Sequence, residues 1–128
     1  MRIHREWLFL NYQRTLMHQK WADYFQDMDV LLCPVTRVAV FSHDHQKIIK
    51  WVLRINNRDV NCEDALLPWV GLSGVTYFLA TVAPIGFTPE GLRIGIQIVG
   101  PFLEDRTPIH FAKLIEDITG GFTPPHGF

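Results

Sequence analysis

Two serines, Ser42 and Ser73, are the only serine hydroxyls in this sequence. A hydroxyl becomes a nucleophile when a base stands within hydrogen-bond reach and a third group orients that base. Ser42 is followed by His43-Asp44-His45, and Ser73 sits between Leu72 and Gly74. Neither occupies a glycine-rich elbow, and the flanks of Lys20, Lys47, Lys50 and Lys113 are those of solvated surface residues. No catalytic residue is assigned. His43 and His45, spaced by two, share one side of an extended segment, but a zinc site needs at least three protein ligands. His4, His18, His110 and His126 show no spacing that completes one, so no metal is expected and the segment reads as a loop. Cys33 and Cys62 make no disulfide framework, and Cys33 lies in an apolar run, so both are expected as reduced structural thiols.

The elements that would position these groups are legible from periodicity. From Ile3 to Met28 the apolar residues Ile3, Trp7, Leu10, Met17, Trp21, Phe25 and Met28 form a helical stripe, with Arg14 inside it as a snorkelling or ion-paired cation. Leu8, Phe9, Tyr12 and Leu16 make a second apolar face, where a surface helix needs one. Val30-Leu31-Leu32-Cys33, ended by Pro34, is short and continuously apolar, as expected of a strand covered on both faces. Residues 50–60 read as a small hairpin turning at Asn56-Asn57. Asp64 is the expected N-cap of a helix through Leu72, in which Pro68 is tolerable in or near the first turn.

Leu79 to Gly86 and Arg93 to Gly100 are two extended runs, the second alternating Ile94, Ile96 and Ile98 with Gly95, Gln97 and Val99. Thr88-Pro89-Glu90-Gly91 supplies the turn that pairs them antiparallel. Thr107-Pro108 predicts a cap and first position for a last helix whose buried stripe is Ile109, Ala112, Ile115 and Ile118, stopped by Gly120-Gly121. Phe122 to Phe128 is an extended tail.

Ala80-Thr81-Val82-Ala83-Pro84-Ile85-Gly86, then Gly91-Leu92, Gly95 and Gln97-Ile98-Val99-Gly100-Pro101, resemble the C-terminal hairpin of the amidase signature family of serine amidohydrolases. The likeness extends to Asp29-Val30-Leu31-Leu32-Cys33-Pro34 and to Gly120-Gly121-Phe122, nearly the whole chain. It implies a central mixed sheet and, in the complete enzyme, a serine nucleophile, a second serine with a cis peptide bond and a lysine base. Both serines lie in a glycine- and serine-rich stretch that this sequence does not contain. The resemblance also sets Tyr77 to Thr81 beside the acyl-binding channel. Phe78, Leu79 and Thr81 are thereby candidate substrate-binding residues, with Trp69 as a fourth, each against the alternative of ordinary core packing. The family usually has Leu-Pro-Ala where this chain has Phe78-Leu79-Ala80, and Gly-Leu-Pro-Val-Gly where it has Gly91-Leu92-Arg93-Ile94-Gly95.

The expectation is thus an α/β chain, one piece over residues 1–128, with helices packed on a mixed sheet that includes an antiparallel hairpin. Its role would be that of the C-terminal portion of a carboxamide hydrolase, inactive alone and without cofactor; the alternative is a stand-alone, non-catalytic interaction module of the same fold. Expected partners are the N-terminal amidase portion or a second copy, with a small amide substrate only in the complete enzyme. Twelve basic against thirteen acidic residues leave no electrostatic footprint for nucleic acid or an anionic membrane. No run reaches the ~18 apolar residues of a membrane span and no signal-peptide core follows Met1, so a soluble cytoplasmic chain is expected.

Overall fold

The computed structural model describes residues 3–124. Helix α1 runs from His4 to Tyr24, a stretch free of glycine and proline, and Glu6 reaches back to accept from the Ile3 backbone N–H at 3.3 Å. It is four residues shorter at its C-terminal end than the periodicity predicts, because the chain turns at residues 25–27 to enter β1. Strand β1, Leu31–Pro34, lies beside β5, Arg93–Val99, which pairs in turn with β4, Ala80–Phe87. Both pairings are antiparallel, and among the described residues no parallel pair occurs. The α/β class and the antiparallel hairpin are as expected.

The hairpin turn is as read from Thr88-Pro89-Glu90-Gly91: the Gly91 N–H donates to the Thr88 carbonyl at 2.9 Å, and Gly91 has φ of 81°. A bulge interrupts the ladder between Pro84 and Gly86, where an edge strand can absorb a residue without an N–H. The second hairpin, β2 (Val52–Ile55) with β3 (Arg58–Asn61), turns on Asn56 and Asn57 with φ of 49° and 63°, the pair of positive angles that matches strand twist.

Residues paired across a ladder share a face of the sheet, so register divides the core. Cys33, Gln97 and Val99 lie on one side, beneath Trp21 of α1, Phe25 just after it, and Trp69 and Leu72 of α2, Cys62–Thr76. Ala83 and Ile98, 5% and 0% exposed, face the other side, under α3, Arg106–Thr119. Gly100 shows how close that packing is. A Cβ there would stand 2.6 Å from Cδ of the fully buried Pro108.

Several local expectations are corrected. The α2 N-cap is Asn61, not Asp64: the Asn61 side chain accepts from the Asp64 backbone N–H at 2.9 Å and donates to the Asp64 carboxylate at 2.8 Å. Pro68 falls in the interior of α2 rather than its first turn. The missing N–H orphans the Asp64 carbonyl, and the segment after β1 fills the gap. Arg37 donates through its guanidinium to the Asp64 carbonyl and through its backbone N–H to the Ala65 carbonyl, each at 3.2 Å.

α3 begins one residue before Thr107, so Thr107 is helical and no side chain caps it. Its inward stripe is the buried Pro108 with half-buried Phe111, Ala112 and Ile115, leaving Ile109 and Ile118 59% and 85% exposed. β1 is not covered on both faces either, since Leu32 remains exposed. Gly120, with φ of 81°, ends α3 as expected; of the predicted tail, residues 125–128 lie outside the described residues.

The chain exposes 10009 Å² at a mass of 14.8 kDa, against about 7,000 Å² expected of a compact monomer of that mass. Many large apolar side chains are among the exposed residues. α1 has no fully buried residue, and Trp7, Leu8, Phe9 and Tyr12 are all about half exposed or more.

Candidate functional site

The chemically capable groups do not converge. Ser42, His43, Asp44 and His45 line an open concavity of about 580 Å³ beside Trp51, on an irregular segment held at its end by the Trp51 indole N–H donating to the Gln46 carbonyl at 3.0 Å. The Asp44 carboxylate turns back to accept from the Gln46 backbone N–H at 2.8 Å, away from any role as an orienting group. The His43 and His45 ring centroids are 6.4 Å apart, and among the described residues no cluster of three metal-ligating side chains exists.

Ser73 is buried in the last turns of α2. Its hydroxyl donates to the Val70 carbonyl at 3.4 Å, and its own carbonyl accepts the N–H groups of Tyr77 and Phe78. That is the work of a helix terminus, not of a nucleophile. Lys113 is spent on Glu116 and Asp117 of its own helix.

Of the four candidate pocket residues, the structure brings two together. Phe78 is 6% exposed and stacks on His18 at 5.0 Å, with Phe25 and Trp21 at 5.4 and 6.3 Å. Trp69 is half-buried and packs against the same cluster of Cys33, Phe78 and Val99. Leu79 is 38% exposed, and its carbonyl extends the ladder by accepting from the Gly100 N–H. Thr81 pairs with Ile98, which turns it to the α3 side of the sheet, away from Trp69. Tyr77, at φ of 60°, is the left-handed step that redirects the chain from α2 into this segment.

The alternating pattern of β5 counts Gln97 without asking what a buried amide needs. It is 2% exposed and donates to the Trp69 carbonyl at 3.2 Å and to Cys33 Sγ at 3.5 Å, tying β1, β5 and α2 at one point. A glutamine inside an apolar strand is the available signal. Burial pushes the Cys33 thiol up from the ordinary value of 9.0, partly opposed by the Gln97 hydrogen bond. The native chain therefore keeps this proton at pH values where the unfolded chain has lost it. The contribution is intact below pH 9.0 and is lost as pH rises through the native value. Urea denaturation from about pH 8 to 10 is expected to show a decline that Cys33→Ala reduces, and native Cys33 should react slowly with thiol reagents. Rapid labelling in the native state would contradict the burial.

No helix among the described residues is long and apolar enough to cross a membrane. Comparison with known proteins places the rest. The chain is 28% identical over 106 residues to the A-type subunit of glutamyl-tRNA(Gln) amidotransferase from Thermosynechococcus vestitus, covering 83% of this chain and 20% of that protein. The same subunit from an Exiguobacterium species is 30% identical over 112 residues, covering 88% and 21%. A solved chain from work on a vestigial protein complex and the evolutionary origins of an s-triazine catabolic enzyme matches 94% of this chain and 25% of its own length. Its TM-score of 0.73 at 17% identity shows a shared fold. The chain spans about a fifth of the length of the curated relatives it matches. The family model for amidases matches residues 3–108, most of the sequence, on the strands and helices just described, and this chain belongs to the amidase family.

Proposed function

We propose that this chain is the C-terminal portion of an amidase signature hydrolase, and that it supplies scaffold and part of the substrate pocket rather than the reacting groups. What carries the reading is one conjunction: a family match over residues 3–108 in a chain where, among the described residues, neither serine hydroxyl is hydrogen-bonded to a lysine or histidine. In the complete protein a serine hydroxyl supplied by another segment attacks the carboxamide carbon, the C–N bond breaks, and the nitrogen leaves as an amine or ammonia. Water then releases the carboxylate. Of the four candidates, this chain's share of the pocket comes from Trp69, Phe78 and Leu79, since Thr81 is turned to the opposite, α3 face of the sheet. Leu79 has the exposure to touch a ligand directly, and Phe78 holds that turn of chain in place from the core.

A protein partner follows from the same reading. The excess of roughly 3,000 Å² over a compact monomer is more than the ~800 Å² that one side of a standard interface contributes. The two buried, unpaired thiols favour a reducing compartment, the cytoplasm.

The test is direct. The purified chain is expected to show no turnover of aliphatic or aromatic amides above buffer, and to form a soluble complex when co-expressed with the N-terminal region of a related amidase. Turnover that disappears on Ser42→Ala or Ser73→Ala would sink the proposal.

A further inference from the structure

The first four turns of α1 carry a pattern that the catalytic reading leaves unused. Glu6 lies as far before Leu10 as Arg14 lies after it, and Ile3 as far before as Met17 after. At about 100° per residue Glu6, Arg14 and Met17 fall within about 40° of Leu10 on one stripe of the helix, and Ile3, the N-cap, leads into the same stripe. Ile3, Leu10 and Met17 are 54%, 43% and 44% exposed. Arg14 is half-buried and held in place, its guanidinium 4.1 Å over the Tyr77 ring and donating to the Asn11 side chain. Among the described residues no carboxylate pairs with it. Glu6 makes one long bond to the Ile3 backbone and has no cationic partner among them.

From this arrangement we infer that α1 is the interface of a two-fold homodimer, in which a second copy lies antiparallel across Leu10. A two-fold axis through Leu10 sets each residue against its mirror position on the stripe, the self-complementarity an isologous interface requires. Leu10 meets Leu10, Ile3 meets Met17, and Glu6 of each copy meets Arg14 of the other. Each charge thereby gains an opposite one, twice over by symmetry, beside apolar contacts that shield the pairs from water. Groove and length agree with that occupant. A concavity of about 390 Å³ runs beside the stripe, lined by Leu10, Arg14, Met17 and Tyr77 among others. The stripe from Ile3 to Met17 is about 21 Å long at the usual rise.

The inference rests on α1 alone and goes beyond the catalytic reading, so the amide assay above and the measurement below fail independently. Sedimentation velocity on the full 128-residue chain over a concentration series is expected to show a monomer–dimer equilibrium. Glu6→Arg and Arg14→Glu should each weaken it about tenfold or more by setting like charges face to face, and the double swap should recover it. A wild-type chain that stays monomeric, an aggregate with no resolvable dimer, or a double swap as weak as the singles would overturn the interface. Should the charge variants lose helix by circular dichroism, cysteine placement decides. Leu10→Cys should form a disulfide-linked dimer on mild oxidation while Tyr12→Cys, on the far side of the helix, does not. The reverse result, or no cross-link from Leu10→Cys, overturns the proposal.

Discussion

Phe78→Ala is expected to cost about 3–5 kcal/mol, the range for emptying a buried phenylalanine site. The ring is the hub of the aromatic cluster, within 6.4 Å of His18, Trp21, Phe25 and Phe102. Those neighbours come from α1 and its C-cap and from the turn after β5, while Phe78 itself follows α2, so collapse around the cavity would require three elements to move together. Net stabilities of single domains are about 5–15 kcal/mol, and this chain forgoes part of its apolar burial. The variant should therefore be largely unfolded near room temperature. Urea titration followed by the fluorescence of Trp21 and Trp69 measures this. Leu79→Ala, at a side chain 38% exposed, should stay within about 1 kcal/mol of the parent. If the two variants proved equally stable, Phe78 would not be the hub described.

Gly100→Ala is the second large effect, and it works by overfilling. The added carbon would lie 2.6 and 2.9 Å from Cδ and Cγ of Pro108, about 1 Å inside ordinary contact. A proline ring cannot rotate away, and Pro108 is fully buried in the first turn of α3, so the helix itself must shift off the sheet. A loss toward the upper end of the ~1–3 kcal/mol range for overpacking is expected, with part recovered in the Gly100→Ala, Pro108→Ala double variant. Gly74→Ala is the control. Nothing lies within 4 Å of a Cβ there, and the position is helical, so a gain of about 0.5–1 kcal/mol is expected. Equal midpoints for Gly100→Ala and the parent would mean that α3 does not press on Gly100.

The sequence discloses what is local and hides what arrives from a distance. Asn56-Asn57 and Thr88-Pro89-Glu90-Gly91 can be read because turn geometry is decided by the residues in the turn. Asn61 escapes notice as a cap because it also closes β3, where its strand role conceals the side chain's second use. The α3 stripe is displaced from its expected positions because Pro108, which looks like a terminus signal, puts its ring into the core. Pro68 is hidden for a different reason: what makes it tolerable is Arg37, which no window around Pro68 contains. The candidate pocket residues have the same character, since adjacency in sequence says nothing of Phe78 turning inward while Leu79 turns to solvent.

That Arg37 contact bears on the order in which the chain comes together. With the Asp64 carbonyl deprived of its helical donor by Pro68 and met instead by Arg37 from the segment after β1, the first turns of the helix are not a self-sufficient unit during folding. They gain their last hydrogen bonds only when a loop has closed between positions far apart in sequence, an entropic step that local helix formation does not include. The proline thus makes the early half of α2 a late event in assembly, joined in one cooperative unit with the strand segment that delivers Arg37. Amide exchange in the two segments should consequently share a single opening, while the half of α2 beyond Pro68, packed on Cys33 and Val99, opens with the sheet.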